Sequence, residues 1–342
     1  MRGYTIRVKT SPQGGSLLFS IFVAMACLPG IGMADMAFQY TALNFPGVQN
    51  TLAYGINDSG EIVGYYWDPS TTSGGDRGFT YDAGVWTTQY VPSSFSTDIY
   101  GINNSATLVG SYNDSTFTVV KGIVIANGQL TLVAPPGTTQ SEDYGLNNAG
   151  DVVGSTFAGT TATGFFDVGG SFTTIAFPDA VGTFPHGIND NGSIVGFYRT
   201  VNDTYGGFLD STSCPECFVP VGLNGAYSTF AYGINNSNLI VGVTEDASGN
   251  KQGFLLDGTT YTLLDFPGAV NTYAAGVNDR DQIVGWYDDA NGNSHAFVAN
   301  PVPEPAPGWA LFVILLILAG RETYVRRQGV RNQPPKAGSP SA

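Results

Sequence analysis

An all-β fold built by repetition is what this sequence predicts, and three observations predict it. First, the stretch Gly276-Val277-Asn278-Asp279-Arg280-Asp281-Gln282-Ile283-Val284-Gly285 occurs in six related copies. The other five start at Gly55, Gly101, Gly145, Gly187 and Gly233, so successive starts lie 46, 44, 42, 46 and 43 residues apart. Self-similarity at that length marks one supersecondary unit stacked repeatedly. Second, each copy reads as four short runs of β-branched and aromatic residues bounded by Gly, Asn, Asp and Pro, the pattern of strands and turns. Third, the two ends of the repeat region complement one another. Phe38-Gln39-Tyr40-Thr41-Ala42-Leu43-Asn44-Phe45-Pro46-Gly47 aligns with the fourth strand of a repeat, Thr259 to Gly268, but has no repeat before it. The last copy stops at its third strand, His295-Ala296-Phe297-Val298-Ala299.

The first strand of each unit ends in Gly-Ile-Asn or a close variant. A turn of constant length follows, such as Asp58-Ser59-Gly60, and then an Ile-Val-Gly-aromatic strand, as in Ile62-Val63-Gly64-Tyr65. Constant length predicts a tight hairpin. The third residue after the Asn is Gly60, Gly150, Gly192, Asn238 or Asp281 in five copies, types that tolerate positive φ. Ala106 is the exception and is expected to be strained or to sit in a different turn. Asn57, Asn103, Asn147, Asn189, Asn235 and Asn278 are expected to set the turn by bonding their own backbone. A loop of variable length leads to the third strand, as in Gly78-Phe79-Thr80-Tyr81. A Gly-rich turn then leads to the fourth, as in Tyr261-Thr262-Leu263-Leu264, closed by Asp265-Phe266-Pro267-Gly268. Four strands at this period predict a six-bladed β-propeller of four-stranded repeats. In it the first strand completes the sixth blade, leaving no exposed end blade. An open β array is the rival.

The flanks have a different character. Residues 1–34 read as an export signal, with Arg2, Arg7 and Lys9 ahead of an apolar run from Leu17 to Leu28 and small residues before Asp35. Residues 35–300 hold the repeats. Residues 301–307 form a Pro-rich spacer, residues 308–320 an apolar transmembrane helix, and residues 321–342 a basic cytoplasmic tail with Arg321, Arg326, Arg327 and Arg331. Thirteen helical residues span about 20 Å, short of the ~30 Å hydrocarbon core, so flanking residues must snorkel or the bilayer thin.

Charge excludes one class of function. The chain carries a formal net charge of −14. The repeats hold only Arg77, Lys121, Arg199, Lys251 and Arg280 as bases, which argues against nucleic-acid binding. Cys27 leaves with the signal, and Cys214-Pro215-Glu216-Cys217 in a third-to-fourth-strand turn is read as a local disulfide of an exported protein. No Gly-x-Ser-x-Gly elbow, P-loop or His-rich metal motif occurs, and the only histidines are His186 and His295.

Loop length varies at the second-to-third-strand connection, on the face it shares with the links between repeats. That pattern suits a binding face on a rigid scaffold and equally suits drift in surface loops. The face carries the candidates Trp67, Asp68, Arg77, Arg199, Tyr205, Trp286, Tyr287 and Asp289, aromatics mixed with polar groups as sugar binding requires. Packing of the same aromatics between blades is the alternative. Tyr54, Tyr100, Tyr144, His186 and Tyr232 precede the recurrent glycine and are expected to form an axial ring, either as a channel-mouth site or as packing between blades. No cofactor is expected; Asp288, Asp289 and Asn291 form a weak Ca²⁺ candidate.

Two resemblances follow from these residues. Val302-Pro303-Glu304-Pro305, the short apolar span and the arginine cluster resemble the PEP-CTERM sorting signal of exopolysaccharide-producing Gram-negative bacteria. That resemblance implies transient anchoring in the membrane, a sorting protease of the exosortase type as partner, and delivery to the cell surface or matrix. The tail here runs on to Ala342, past Arg331, which departs from the pattern. The repeats are similar to the HAF-type extracellular repeat, carried by Gly-Ile-Asn, Ile-Val-Gly and His295-Ala296-Phe297. That likeness implies a surface location and a β-repeat fold, and no established activity. The function expected is a non-catalytic binding or structural protein linked to exopolysaccharide, with a carbohydrate-active enzyme, glycosidase or lyase, as the alternative.

Overall fold

A computed structural model of the chain describes residues 37–70, 75–116 and 119–302. The expected export signal, the sorting residues Pro303, Glu304 and Pro305, the transmembrane helix at 308–320 and the basic tail lie outside these residues. Among the described residues every regular element is a strand, and no helix is long and apolar enough to cross a membrane.

The strands follow the repeats. β1 is Phe38–Leu43. The first module comprises β2 Thr51–Ile56, β3 Ile62–Asp68, β4 Gly75–Asp82 and β5 Val85–Gln89; the second, β6 Ser96–Ile102, β7 Leu108–Asn113, β8 Val120–Ala126 and β9 Gln129–Leu132. The third holds β10 Ser141–Leu146, β11 Val152–Ala158, β12 Thr161–Val168 and β13 Ser171–Ile175; the fourth, β14 Gly182–Ile188, β15 Ser193–Arg199, β16 Tyr205–Ser211 and β17 Cys214–Val221. The fifth holds β18 Ser228–Ile234, β19 Ile240–Glu245, β20 Lys251–Asp257 and β21 Thr260–Leu264; the last, β22 Asn271–Val277, β23 Ile283–Asp288 and β24 Ser294–Pro301.

The fold is an all-β propeller in which four sheets are four-stranded and one is eight-stranded. Six separate sheets were expected and five form. The reason is local: Ala162 of β12 and Gly182 of β14 make one parallel bridge, which joins the third module to the fourth. The first strand closes the last module. β1 runs antiparallel to β24, with Phe38 opposite Pro301, Tyr40 opposite Ala299 and Leu43 opposite Ala296.

Between neighbouring sheets the cores are built from equivalent positions. Val63, Val109, Val153, Val195, Val241 and Val284 are all fully buried, as are Phe79, Phe208, Phe254, Phe297 and Ile123 on the third strands. A second packing device fixes the link between modules. The Phe of the Phe-Pro segment stacks on the aromatic two residues past the strand glycine: Phe45 on Tyr66 at 3.8 Å, Phe177 on Tyr198 at 3.7 Å and Phe266 on Tyr287 at 3.7 Å. The backbone N–H of each Phe donates to a Thr hydroxyl six residues on, at Thr51, Thr183 and Thr272.

The hairpin asparagines carry more than the turn. The Oδ1 of Asn278 accepts from the backbone of Arg280 and Gln282 at 3.1 and 3.0 Å, and the other five copies bond their own turns in kind. In five copies the Nδ2 donates to the carbonyl of the asparagine in the next module: Asn57 to Asn103, Asn103 to Asn147, Asn189 to Asn235, Asn235 to Asn278, and Asn278 to Asn57 at 2.9 Å. Asn147 instead donates to Asp151. The following residue forms a second ring, complete in all six modules. The backbone N–H of Asp58, Asn104, Asn148, Asp190, Asn236 and Asp279 each donates to the side-chain oxygen of the next member, at 2.8–2.9 Å, and the last closes on Asp58.

All six third-turn residues have positive φ. Ala106, at φ 56°, shares the Asx turn of the other copies, its N–H bonded to the Asn103 carbonyl at 3.0 Å, so of the two expectations strain is the one met. Asp143 departs from the pattern in a different way. Its equivalents are Ala53, Ile99, Pro185, Ala231 and Ala274. It is fully buried over Gly122, neither carboxyl oxygen accepts a hydrogen bond, and burial, then Asp167 and Glu142, push its acid well above the usual range.

Four substitutions test these features through stability. Asn278→Ala removes two part-buried bonds to the turn and a buried bond between modules, so urea unfolding should show a loss of about 2–3 kcal/mol. Asn147→Ala, which breaks no bond to the next module, should lose about 1 kcal/mol less; equal losses would refute the inter-module role. Ala106→Gly should gain about 1 kcal/mol by relieving the left-handed backbone. Asp143→Ala should raise stability by about 1–3 kcal/mol at neutral pH. The native acid holds its proton above pH 3.8 while the unfolded one releases it, so wild-type stability falls as pH rises from about 4 through the raised native value. The advantage of Asp143→Ala should therefore be small in unfolding curves below pH 4 and grow above it.

Candidate functional site

The expected axial residues do converge, through a feature of strand pairing. In every module the ladder between the first two strands skips one residue, for example between Ala53 and Gly55 and between Ala274 and Gly276. The skipped residues are Tyr54, Tyr100, Tyr144, His186, Tyr232 and Ala275. Such a bulge leaves one residue unpaired and re-aims its side chain. It also explains the glycine that ends each repeat signature: a Cβ on Gly64 or Gly285 would overlap the carbonyl oxygen of Leu52 or Tyr273. The rings run in sequence, with centroids 5.2 Å apart for Tyr54–Tyr100, 5.4 Å for Tyr100–Tyr144, 4.0 Å for Tyr144–His186 and 5.1 Å for His186–Tyr232. Trp286 lies 4.8 Å from Tyr54, and Ala275 leaves the chain of rings open between its two ends. Burial lowers the His186 pKa to about 3, so the ring is neutral at ordinary pH.

The space these residues line is about 80 Å³, and a second space of about 70 Å³ lies beside the hairpin asparagines. Ile56, Ile102, Leu146, Ile188, Ile234 and Val277 border both. Volumes of this size suit a few waters, well below the several hundred Å³ of a small-molecule pocket.

A larger cleft, of about 590 Å³, opens in the last module. Tyr273 and Trp286, opposite one another on β22 and β23, stack at 4.7 Å and 13°. Beside them Asp288 accepts from Asn271 Nδ2 at 3.0 Å, from the Tyr273 hydroxyl at 3.1 Å and from the Ser294 hydroxyl at 2.8 Å. Asp289 accepts from the backbone N–H groups of Asn291 and Asn293 at 2.8 and 2.9 Å and lies 3.2 Å from His295 Nε2. The bonds from Asn293 lead those that hold its carboxyl below the usual range. Of the Ca²⁺ candidates, Asp289 thus spends its carboxylate on the hairpin and Asp288 spends its own on Asn271, Tyr273 and Ser294. Among the described residues no three of His, Cys, Asp and Glu lie close enough together to hold a metal ion.

Of the residues expected on the variable face, the cleft gathers Trp286 and Asp289, with Asp288. Tyr287 is packed on Phe266. Tyr205 packs on Phe230 at 4.9 Å. Arg77 donates to the carbonyls of Phe95 and Asp76. Arg199 bonds the Thr160 carbonyl and lies 3.9 Å from Asp203. Asp68 caps Ser70. Trp67, 41% exposed on β3, donates its backbone N–H to the Asn50 carbonyl at 3.2 Å, and Asn50 Oδ1 accepts from the N–H of the cleft residue Ser294, so Trp67 stands near the edge of the cleft and outside its lining. Tyr273, Asn271 and Ser294 were not anticipated; Tyr273 is legible only as the cross-strand partner of Trp286. Cys214 and Cys217 form a disulfide at the start of β17.

No protein-family model matches the sequence, and no curated protein matches it. Solved structures similar in chain path include the Aleuria aurantia lectin in complex with Fucalpha1-6GlcNAc, at 10% identity over 76% of this chain and 98% of that one, with a TM-score of 0.47. AofleA from Arthrobotrys oligospora is similar at 10% identity over 77% and 86%, with a TM-score of 0.49. The β-propeller domain of the Trilobed protease from Pyrococcus furiosus, described as having an open velcro topology, is similar at 6% identity over 75% and 94%, with a TM-score of 0.47.

Proposed function

We propose that the chain is an exported, non-catalytic six-bladed propeller of the bacterial surface or matrix that binds polysaccharide in the Tyr273–Trp286 cleft. The blade count treats the eight-stranded sheet as two blades sharing one bridge, and six equivalent hairpins in the asparagine ring support it. Export, anchoring and handling by an exosortase-type protease rest on the sequence of the two ends.

The observation that carries the binding reading is the cleft itself. The partly exposed Tyr273 ring, backed by the buried Trp286, offers a flat apolar surface, and Asn271, Asp288 and Ser294 offer fixed donors and acceptors beside it. Sugar rings present the same combination, apolar C–H faces edged by hydroxyls. A glycosidase or lyase would need a carboxyl pair with a proton to give in a shared cleft. Asp289 is held ionised by its hairpin bonds, which supports the non-catalytic reading.

Screening the full chain on a glycan array should find at least one neutral polysaccharide fragment bound. Tyr273→Ala should weaken that binding by about tenfold, the size expected for an aromatic contact. Val219→Ala, exposed on β17 of the fourth module, should leave it unchanged. Equal losses for both variants, or no glycan bound at all, would remove the cleft as a sugar site.

A further inference from the structure

One cross-strand pair varies sharply around the propeller. It joins the residue two before the bulge to the residue just after the strand glycine. The pair is Leu52–Tyr65 in the first module, Phe184–Phe197 in the fourth, Phe230–Val243 in the fifth and Tyr273–Trp286 in the last. In the second and third modules it is Asp98–Ser111 and Glu142–Ser155. Two adjacent modules thus replace apolar or aromatic pairs by an acid facing a serine.

These replacements leave a polar notch with unspent bonding capacity. Asp98 is 8% exposed and its Oδ1 accepts no hydrogen bond; Ser111, 1% exposed, has a hydroxyl without a partner. Glu142, partly exposed, accepts from the Tyr144 hydroxyl, and Ser155 donates to the Thr183 carbonyl. Asp76 of β4, also partly exposed, is the third carboxyl: its charge and that of Glu142 act on Asp98 from either side. Arg77 lies beside Asp76, and its guanidinium is bonded to the backbone carbonyls of Asp76 and Phe95. Tyr54, Tyr65 and Tyr100 wall the notch with neutral rings that feel the Asp98 charge. A buried acceptor without a donor is costly unless a ligand supplies one.

Building on the polysaccharide reading above, we propose that the Asp76–Asp98–Glu142 notch binds the ammonium groups of an amino-sugar chain. Three carboxyls call for cationic donors, and among the described residues no three of His, Cys, Asp and Glu gather closely enough to hold one metal ion. An amino-sugar chain carries several ammonium groups in succession, so one chain could serve more than one carboxyl, with the tyrosine rings against the sugar faces. Burial raises the acids of all three, that of Asp76 to about 6. An arriving ammonium favours the ionised form, so binding should release protons.

Titration calorimetry of the full chain with a glucosamine hexamer and an N-acetylglucosamine hexamer tests this. The free-amine hexamer should bind at least about tenfold more tightly. In buffers of different ionisation enthalpy its binding should release protons at neutral pH. Asp98→Asn and the partly exposed Glu142→Gln should each weaken it by about tenfold and reduce the proton release. Asp246→Asn, which removes the same charge from an exposed hairpin, should do neither. Equal affinity for both hexamers, an equal effect of Asp246→Asn, or full competition by a lysine oligomer would overturn the assignment, the last pointing to a basic protein partner. Neutral-glycan binding that depends on Tyr273, without amine preference, would sink the notch and spare the cleft. Amine binding that survives Tyr273→Ala, with no neutral glycan bound, would do the reverse.

Discussion

The amide side chain at the start of each hairpin is the constraint on which the rest of the architecture depends. The first strands of all the modules converge at the axis, where backbone groups have little access to water. A buried carbonyl or N–H left unpaired there costs about 1–3 kcal/mol. Asparagine answers two such demands at once: its oxygen accepts from the turn, and in five copies its nitrogen donates to the neighbouring module. A serine hydroxyl would have to accept and donate through one atom, which cannot reach the turn and the neighbouring module together, and aspartate would bring a charge against a carbonyl. Only a short side chain with a separate donor and acceptor serves both.

The bulge beside it makes the same economy of space possible. By leaving one residue unpaired, each first strand turns an aromatic or imidazole ring, or the small Ala275, toward the axis. The strand glycine lets the backbones cross closely enough for this to happen. The axis fills, and ligand-sized space is pushed outward to the rim. There the six modules cease to be equivalent. Aromatic or mixed aromatic–aliphatic pairs occupy four sectors, one of which opens into the cleft, and the other two, adjacent to one another, turn acidic. The rim therefore differs from sector to sector although the hairpins are nearly the same everywhere.

Much of the scaffold was legible from the residues alone. Period, strand count, the Asx turn and the positive-φ positions are local properties, and Ala106 was visible as the misfit because only residue type was needed to see it. The closing strand was legible too, since an unpaired fourth strand at one end and a missing one at the other can be matched by alignment. What escaped was whatever depends on pairing register. The asparagine nitrogen finds its partner 43–46 residues away or, at closure, 221 residues away. The bulge has no composition of its own. Tyr287 looked like a binding surface because its partner, Phe266, sits some 20 residues earlier in a linking segment. Tyr273 and Asp98 drew no notice for the same reason: each acquires meaning only from the residue opposite it.

The closing strand also has a mechanical consequence. β24 lies between β23 and β1, held by antiparallel ladders on both sides, and the chain leaves it at Pro301 and Val302, where the Val302 N–H still bonds the Ala37 carbonyl at 2.8 Å. A pull on the chain beyond that point is directed along β24 and loads both ladders in shear, so that many bonds must fail together instead of unzipping one by one. The two extremities of the ring thus meet in a single clasp that resists tension.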